Sequence, residues 1–268
     1  MNLDDGEAVV LIVSIAVTLV AGSGYYLRLQ RVARFSCPPG QRVPLYLAPP
    51  LSLGLLGVVL LRCAAGDVRG GGIYFALFMA LGGAWIFATL ALCGCLGVDF
   101  RSDALENHNS AVIIALSGVI IGVTLAYAGG NIGEGDSIWQ TIFSSALATL
   151  GWLLSWCLLD GLTHTSIAVA ESRDKASAWR LAGFLVASGL ILGRAAAGDW
   201  QSVSNTLLDF AKYGWPELIM LGIATPLERA LQPAVKNPSP KIETYGILPA
   251  GSYLLFALAT LFLEGRWK

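Results

Sequence analysis

The sequence predicts an all-α protein, a polytopic membrane bundle of eight transmembrane helices. Three observations predict this class. Hydrophobic residues make up 55% of the chain and charged residues 13%, whereas about a quarter of the residues in soluble proteins are charged. Eight runs of mainly apolar residues reach about 20 residues, the length that crosses the hydrocarbon core as a helix. Basic residues then concentrate in every second connection, which is typical of a multi-pass protein.

The eight predicted spans follow one another with short connections. They cover residues 8–27, 44–65, 73–97, 110–129, 138–159, 180–198, 215–231 and 246–263. The seventh contains two prolines and Glu217, and proline is accommodated in a membrane helix where neighbouring helices bond the freed backbone groups. The first run follows an acidic segment, residues 4–7, rather than a basic one. We therefore expect it to stay as a helix rather than to be removed as a signal peptide.

Positive charge predicts the orientation. Eleven of the seventeen Lys and Arg residues lie after the first, third, fifth and seventh runs: Arg28, Arg31, Arg34, Arg42, Arg101, Arg173, Lys175, Arg180, Arg229, Lys236 and Lys241. The excess of positive residues on the cytoplasmic side then predicts that these connections are cytoplasmic and that both termini are extracytoplasmic. Arg62 and Arg194 lie inside the second and sixth runs.

A short segment occurs twice, as RCAAGD at residues 62–67 and as RAAAGD at residues 194–199. The even-numbered runs end in the related segments AAGD, AGGN, AAGD and LEG. These endings lie at Asp67, Asn131, Asp199 and Glu264, with spacings of 64, 68 and 65 residues. The spacing predicts four helical hairpins, and the shared arginine predicts a four-helix half used twice, in residues 1–134 and 135–268. Parallel internal repeats of this kind are common in transport folds.

The segment ENHNSAVIIALSGVIIG, residues 106–122, resembles the helix-start motif of the YjfL-like family. The matching residues are Asn107, Asn109, Ser110, Ala111, Ala115, Ser117, Gly118 and Gly122. The resemblance implies a bacterial inner-membrane protein built from two four-helix units in tandem, and the family has no assigned biochemical function. The start of the sixth run departs from the pattern, since it has Asp174 and Lys175 in place of the asparagines.

Asn107 and Asn109 lie just before the fourth run, and two interpretations are open. Asparagine before a helix caps the first free N–H groups. Alternatively, the asparagines form a polar ring at the cytoplasmic mouth that binds an ion or a partner.

Arg62 and Arg194 lie near one end of their runs, at matching points of the two predicted halves. One interpretation is structural: each arginine reaches the interface or pairs with the acid five residues on, Asp67 or Asp199. The other is functional, because two arginines at matching points can meet an anionic solute or line a wet cavity.

Glu217 and Asp160 are the remaining candidates for a pathway. Pro216 before Glu217 suits the first turn of a helix, where an acid is stabilised by the helix dipole. The alternative is a proton-accepting glutamate in a transport path. Asp160, at the end of the fifth run, has the same two interpretations without a proline to explain it.

Other classes of site are not indicated. The five cysteines have no zinc-site spacing, so we expect small packing residues rather than metal ligands or disulfides. The glycines at 118 and 122 and at 189 and 193 have GxxxG spacing, which lets helices approach closely. No nucleotide-binding glycine pattern follows a strand. A net charge of −1 does not favour nucleic acid as a partner. We expect no cofactor.

The sequence therefore predicts a non-enzymatic inner-membrane protein that acts in envelope maintenance. It would let a small solute or ion pass or would dock a partner, with the lipid bilayer, a second copy of the chain or a membrane complex as its partners. The alternatives are a structural subunit of a larger complex and an integral membrane enzyme. An enzyme would need a positioned nucleophile, base or metal, and neither HExxH nor GxSxG occurs.

Overall fold

The computed structural model describes residues 3–36, 39–135, 137–233 and 241–263. Within these ranges 86% helix and no strand are found, which confirms the all-α prediction. The long helices are α1 (Asp5–Ser36), α2 (Pro39–Cys63), α3 (Ile73–Cys93), α4 (Ser110–Gly129), α5 (Ile138–Thr163), α6 (Lys175–Ala196), α7 (Val203–Leu231) and α8 (Leu248–Leu263). Short helical segments connect them: Gly66–Arg69, Gly94–Leu96, Phe100–Glu106, Thr165–Ala170 and Glu243–Ile247.

In the part of the chain that the structure describes, seven helical stretches are long and apolar enough to cross a membrane: Asp5–Arg31, Arg42–Cys63, Ile73–Leu96, Ser110–Gly129, Ile138–Thr163, Lys175–Ala196 and Glu243–Leu263. The chain is therefore a multi-pass membrane protein whose helices contact lipid. These stretches correspond to seven of the eight predicted spans.

The remaining predicted span, residues 215–231, lies in α7. This helix begins at Val203 rather than at residue 215, because residues 203–214 continue the helix through Asp209 and Lys212. Its charged and polar residues lower its mean hydropathy, and α7 is not among the seven stretches. Leu208 and Leu218 of α7 nevertheless point outwards and are exposed.

The long helices form two rows. The even-numbered helices pack in chain order, α2 on α4, α4 on α6 and α6 on α8, while α1 packs on α3 and α5 on α7. Contacting residues have equivalent positions along their helices: Gly118 faces Ala182 and Gly183 faces Ala250, and the Thr18 hydroxyl donates to the Ala80 carbonyl over 2.9 Å. The helices of each row therefore run parallel to one another.

The helices α4 and α6 form the centre of the bundle. A Cβ placed on Gly118 would lie 2.5 Å from the Cα of Ala182. Further along, Gly122 faces Gly189, and Gly129 faces Gly193, with backbone against backbone. This confirms the close approach predicted from the GxxxG spacing.

The bundle has two ends. We call the end where α4 and α6 begin the Asn109 end, and the end where α2, α4 and α6 finish the Asp199 end.

Candidate functional site

The connections after α2, α4 and α6 pair with one another at the Asp199 end. Gly198 donates its N–H to the Ile132 carbonyl and Trp200 donates to the Glu134 carbonyl, both over 2.9 Å. Ala64 forms an isolated bridge with Gly133. Gly133 (φ +117°) and Gly198 (φ +145°) adopt backbone angles that side chains strongly disfavour. Small residues in these segments therefore let the three connections stack.

A cavity of about 420 Å³ lies between these connections and the helix ends. Its charged lining residues are Arg62, Arg69, Glu134, Arg194, Asp199 and Asp209. The structure thus brings together three residues that the sequence singled out, Arg62, Arg194 and Asp199. Arg62 and Arg194 are 132 residues apart in the sequence, and the paired connections place both beside the same cavity.

Arg194 is the buried residue of this cavity. It is 9% exposed, and its Nε and Nη2 atoms are buried without a hydrogen-bond partner among the described residues. Its guanidinium carbon lies 5.7 Å from the centre of the Tyr213 ring, in a cation–π contact. Arg62, on α2, is exposed.

The predicted ion pairs of Arg62 with Asp67 and of Arg194 with Asp199 are wrong, since neither occurs in the described part of the chain. The Asp199 carboxylate instead accepts the Glu134 N–H over 2.9 Å. Asp67 is exposed, accepts the Val68 N–H, and lines a neighbouring cavity of about 290 Å³. Both acids therefore bond to backbone, and neither neutralises its arginine.

The charges of the larger cavity suit a particular chemistry. Arg69 pairs with Glu134 over 3.1 Å, which leaves Arg62 and Arg194 as the basic groups outside that pair. A guanidinium with unused N–H donors matches a carboxylate or phosphate, which can accept two parallel hydrogen bonds. Asp199 and Asp209 on the same lining disfavour a polyanion. The cavity therefore suits a small solute with one anionic group.

Glu217 lies in the interior of α7, fourteen positions after its first residue. Its Oε1 accepts hydrogen bonds from the hydroxyls of Ser155 on α5 and Ser188 on α6, the latter over 2.5 Å. The residue is 4% exposed, and Oε2 has no partner among the described residues. The interpretation that places Glu217 in the first turn of a helix is wrong, because α7 extends through Pro216.

A buried ion pair at the Asn109 end was missed by the sequence reasoning. Arg180 and Glu228 are 0% and 1% exposed in their side chains, with Nε and Oε1 2.8 Å apart. Arg180 also donates to the Tyr245 carbonyl and to the Ser177 hydroxyl. Its assignment to a charged cytoplasmic connection is therefore wrong. A signal existed: Glu217 and Glu228 are eleven residues apart, which puts both acids on one face of a helix.

Asn109 caps α4. Its Oδ1 accepts the N–H groups of Ala111 and Val112, and its Nδ2 donates to the Val169 and Ala170 carbonyls, both over 2.9 Å. The predicted capping role is therefore present, and the side chain is fully engaged.

Asp174 caps α6 in the same way, through the N–H groups of Ala176 and Ser177. Its side chain therefore has the same structural role at α6 that Asn109 has at α4. Asn107 is exposed and ends the segment Phe100–Glu106. Asp160 accepts the Ser166 N–H over 2.6 Å, so a structural contact accounts for this acid.

No group of three His, Cys, Asp or Glu residues suited to a metal occurs in the described ranges. Comparisons of the chain with protein-family models, with curated proteins and with solved structures find no match. The functional conclusion is therefore based on the surroundings of Arg194 and of Glu217.

Proposed function

We propose that this protein binds a small solute with a carboxylate or phosphate group at the Asp199 end and lets it pass the membrane without catalysing a reaction. The main support is that the Arg194 guanidinium is buried and that two of its nitrogens have no hydrogen-bond partner among the described residues. Burial of an unpaired guanidinium costs several kcal/mol, roughly, even after local relaxation. The chain nevertheless keeps Arg194 buried beside a cavity, with Arg62 across it. A bound anionic group would supply the missing partner.

The proposal includes an orientation in the inner membrane. We place the Asp199 end outside and the Asn109 end in the cytoplasm, since Arg28, Arg101, Arg173 and Arg229 lie towards the Asn109 end. α7 is the eighth span in this arrangement. Support comes from its outward leucines and from the inward positions of Glu217 and Glu228.

The proposal also includes a tandem duplication in residues 1–134 and 135–268 and membership of the YjfL-like family, with a role in envelope maintenance. The hairpin repeat from which each half is built is supported by contacts between positions that are 62 to 67 residues apart, such as Thr18 with Ala80, Gly118 with Ala182 and Gly183 with Ala250. The cap at Asn109, within the segment that resembles the family, recurs at Asp174 after 65 residues. Repeated hairpins that stack in register would produce these spacings.

The test is solute flux in liposomes that contain the purified protein. Labelled phosphate, acetate and glycine would be measured separately, because the three differ in charge and in the presence of an amino group. The variant combines Arg62→Ala with Arg194→Met, which removes both cavity arginines outside the Arg69–Glu134 pair. Arg101→Ala is the matched control, since Arg101 is exposed at the opposite end and pairs with Glu106.

We expect flux of at least one anionic probe in wild type and in Arg101→Ala, and loss of that flux in the cavity variant. Flux that persists in the folded cavity variant would contradict the role of the arginines. A folded wild type that passes none of the probes and purifies with a fixed partner would instead favour a structural subunit of a larger membrane complex.

A further inference from the structure

The interior of the bundle contains a second polar site, centred on Glu217, and its contacts do not depend on the arginine cavity. We propose that Glu217, with the hydroxyls of Ser155 and Ser188, is a proton-binding site inside the bundle. The site is formed by three helices, since Ser155 belongs to α5, Ser188 to α6 and Glu217 to α7. Both hydroxyls donate to the same carboxyl oxygen, Oε1.

Oε2 of Glu217 is the atom that receives the proton. It is buried and has no hydrogen-bond partner among the described residues. An ionised carboxylate in an apolar interior is strongly disfavoured unless a cation or several donors compensate it, so such a group binds a proton instead. The two serine hydroxyls leave one oxygen uncompensated, and a proton on Oε2 removes the charge.

The charged groups of the helices that pack around Glu217 are engaged elsewhere or are distant along their helices. On α5, Asp160 bonds to the Ser166 backbone. On α6, Arg180 pairs with Glu228, and Arg194 lies six residues beyond Ser188, about 9 Å along the axis. On α7 itself, Lys212 lies over the Tyr213 ring, Asp209 lines the arginine cavity, and Arg229 donates to the Leu162 carbonyl. Glu217 therefore contacts two serine hydroxyls rather than a cation among the described residues.

The number of oxygens favours a proton over a metal ion. The two carboxyl oxygens and the two hydroxyls supply four oxygens, whereas Ca²⁺ takes about six to eight oxygen ligands and Mg²⁺ about six. Both hydroxyls are also committed to Oε1 as donors. A proton needs one oxygen, and Oε2 provides it.

An apolar cavity of about 350 Å³ gives access to the site from the side of the bundle. Its lining includes Gly151, Leu154, Phe210, Leu218 and Glu217 itself. Leu154 and Leu218 are exposed on the bundle surface, where the bilayer would lie. A hydrophobic reagent dissolved in lipid can therefore enter the cavity beside Glu217, while a water-soluble one is at a disadvantage.

The test uses dicyclohexylcarbodiimide, a hydrophobic reagent that adds to protonated carboxyl groups. Purified protein in liposomes would be treated over a range of pH and the labelled residue identified by mass spectrometry. Glu228 is an internal control, because it lies in the same helix and is equally buried but is ion-paired with Arg180. Glu217→Gln keeps the size of the side chain and removes the reactive group.

We expect labelling at Glu217 that falls as the pH rises, no labelling at Glu228, and loss of labelling in Glu217→Gln. Wild-type protein that is folded but unlabelled at Glu217 at every pH would overturn the proposal. Labelling that sodium suppresses at constant pH would also overturn it, in favour of a sodium site. The wild-type pH series needs no variant to fold, and it is independent of anion flux through the arginine cavity.

Discussion

Two arginines of α6 lie fourteen residues apart, and their surroundings differ sharply. Arg180, at the Asn109 end, is fully buried and donates to Glu228, to the Tyr245 carbonyl and to the Ser177 hydroxyl. Arg194, at the Asp199 end, is nine-tenths buried, and two of its nitrogens have no partner among the described residues. An arginine of α6 thus makes several hydrogen bonds to its surroundings at one end of the helix, while an arginine at the other end keeps donors without a partner among the described residues.

This difference gives a criterion for distinguishing a structural charge from a functional one in an apolar bundle: whether the buried group has a partner within the fold. Buried polar groups are almost always hydrogen-bonded, because an unmet donor or acceptor loses its contacts with water. The two buried glutamates of α7 differ in the partner of Oε1: in Glu228 it pairs with Arg180, while in Glu217 it accepts from hydroxyls alone, and Oε2 of each lacks a partner among the described residues. The groups without an opposite charge lie beside cavities, and we assign the ligand and the proton to those groups.

The largest expected effect concerns the stability of the two arginine variants. Arg180→Met removes the partner of a buried carboxylate, so we expect a loss of about 3–5 kcal/mol in the free energy of unfolding. Arg194→Met removes a charge that lacks a partner, and we expect unchanged stability or a gain of up to about 2 kcal/mol. Unfolding in mixed detergents measures both. A similar loss in the two variants would remove the distinction between the two ends.

The two glutamates of α7 should repeat the contrast on a smaller scale. Glu228→Gln weakens a charged hydrogen bond to Arg180, and we expect a loss of about 2–3 kcal/mol in the free energy of unfolding. Glu217→Gln keeps an oxygen that can accept from both serines, so we expect a change of less than about 1 kcal/mol. The same unfolding assay compares them. A larger loss for Glu217→Gln would mean that its charge is needed for the fold.

The smallest effect separates the two asparagines. Asn109→Ala removes a helix cap and two bonds to the Thr165–Ala170 segment, so we expect a loss of about 1–2 kcal/mol. Asn107→Ala changes an exposed residue, and we expect a change within about 0.5 kcal/mol. Equal stability of the two variants, with a common loss of solute binding, would instead support the polar-ring interpretation.

The sequence predicted the helices better than their ends. Hydropathy marked α4 at 110–129, where the observed helix is Ser110–Gly129, because an asparagine cap and a glycine pair bound an uncharged and mainly apolar segment. It failed at α7, since Asp209, Lys212 and Pro216 interrupt the apolar pattern while the helix continues. The buried residues of that helix begin at Pro216, so its first half is a polar and largely exposed helical extension, which an apolar pattern does not mark.

The sites were predicted unevenly for a related reason. The repeated segment singled out Arg62 and Arg194, but their position beside one cavity depends on how the three connections pair. Ser155 and Ser188 are ordinary residues in sequence and gain a role through contact with Glu217. The sequence places Arg180 next to a charged connection. Its ion pair could not be predicted from that position, because its partner Glu228 lies forty-eight residues away. Contacts of this range follow from the assembled bundle.

If Arg194 is available to an anionic ligand, such a ligand should stabilise the folded protein. The most direct measurement is thermal unfolding in neutral detergent at increasing phosphate or acetate at constant ionic strength, for wild type and for Arg194→Met. A ligand that binds the folded state alone raises its stability with concentration, and a repeat in nanodiscs with anionic lipid distinguishes a free anion from a lipid headgroup. We predict a rise in the unfolding midpoint for wild type and none for Arg194→Met. An equal rise in both proteins would contradict the account.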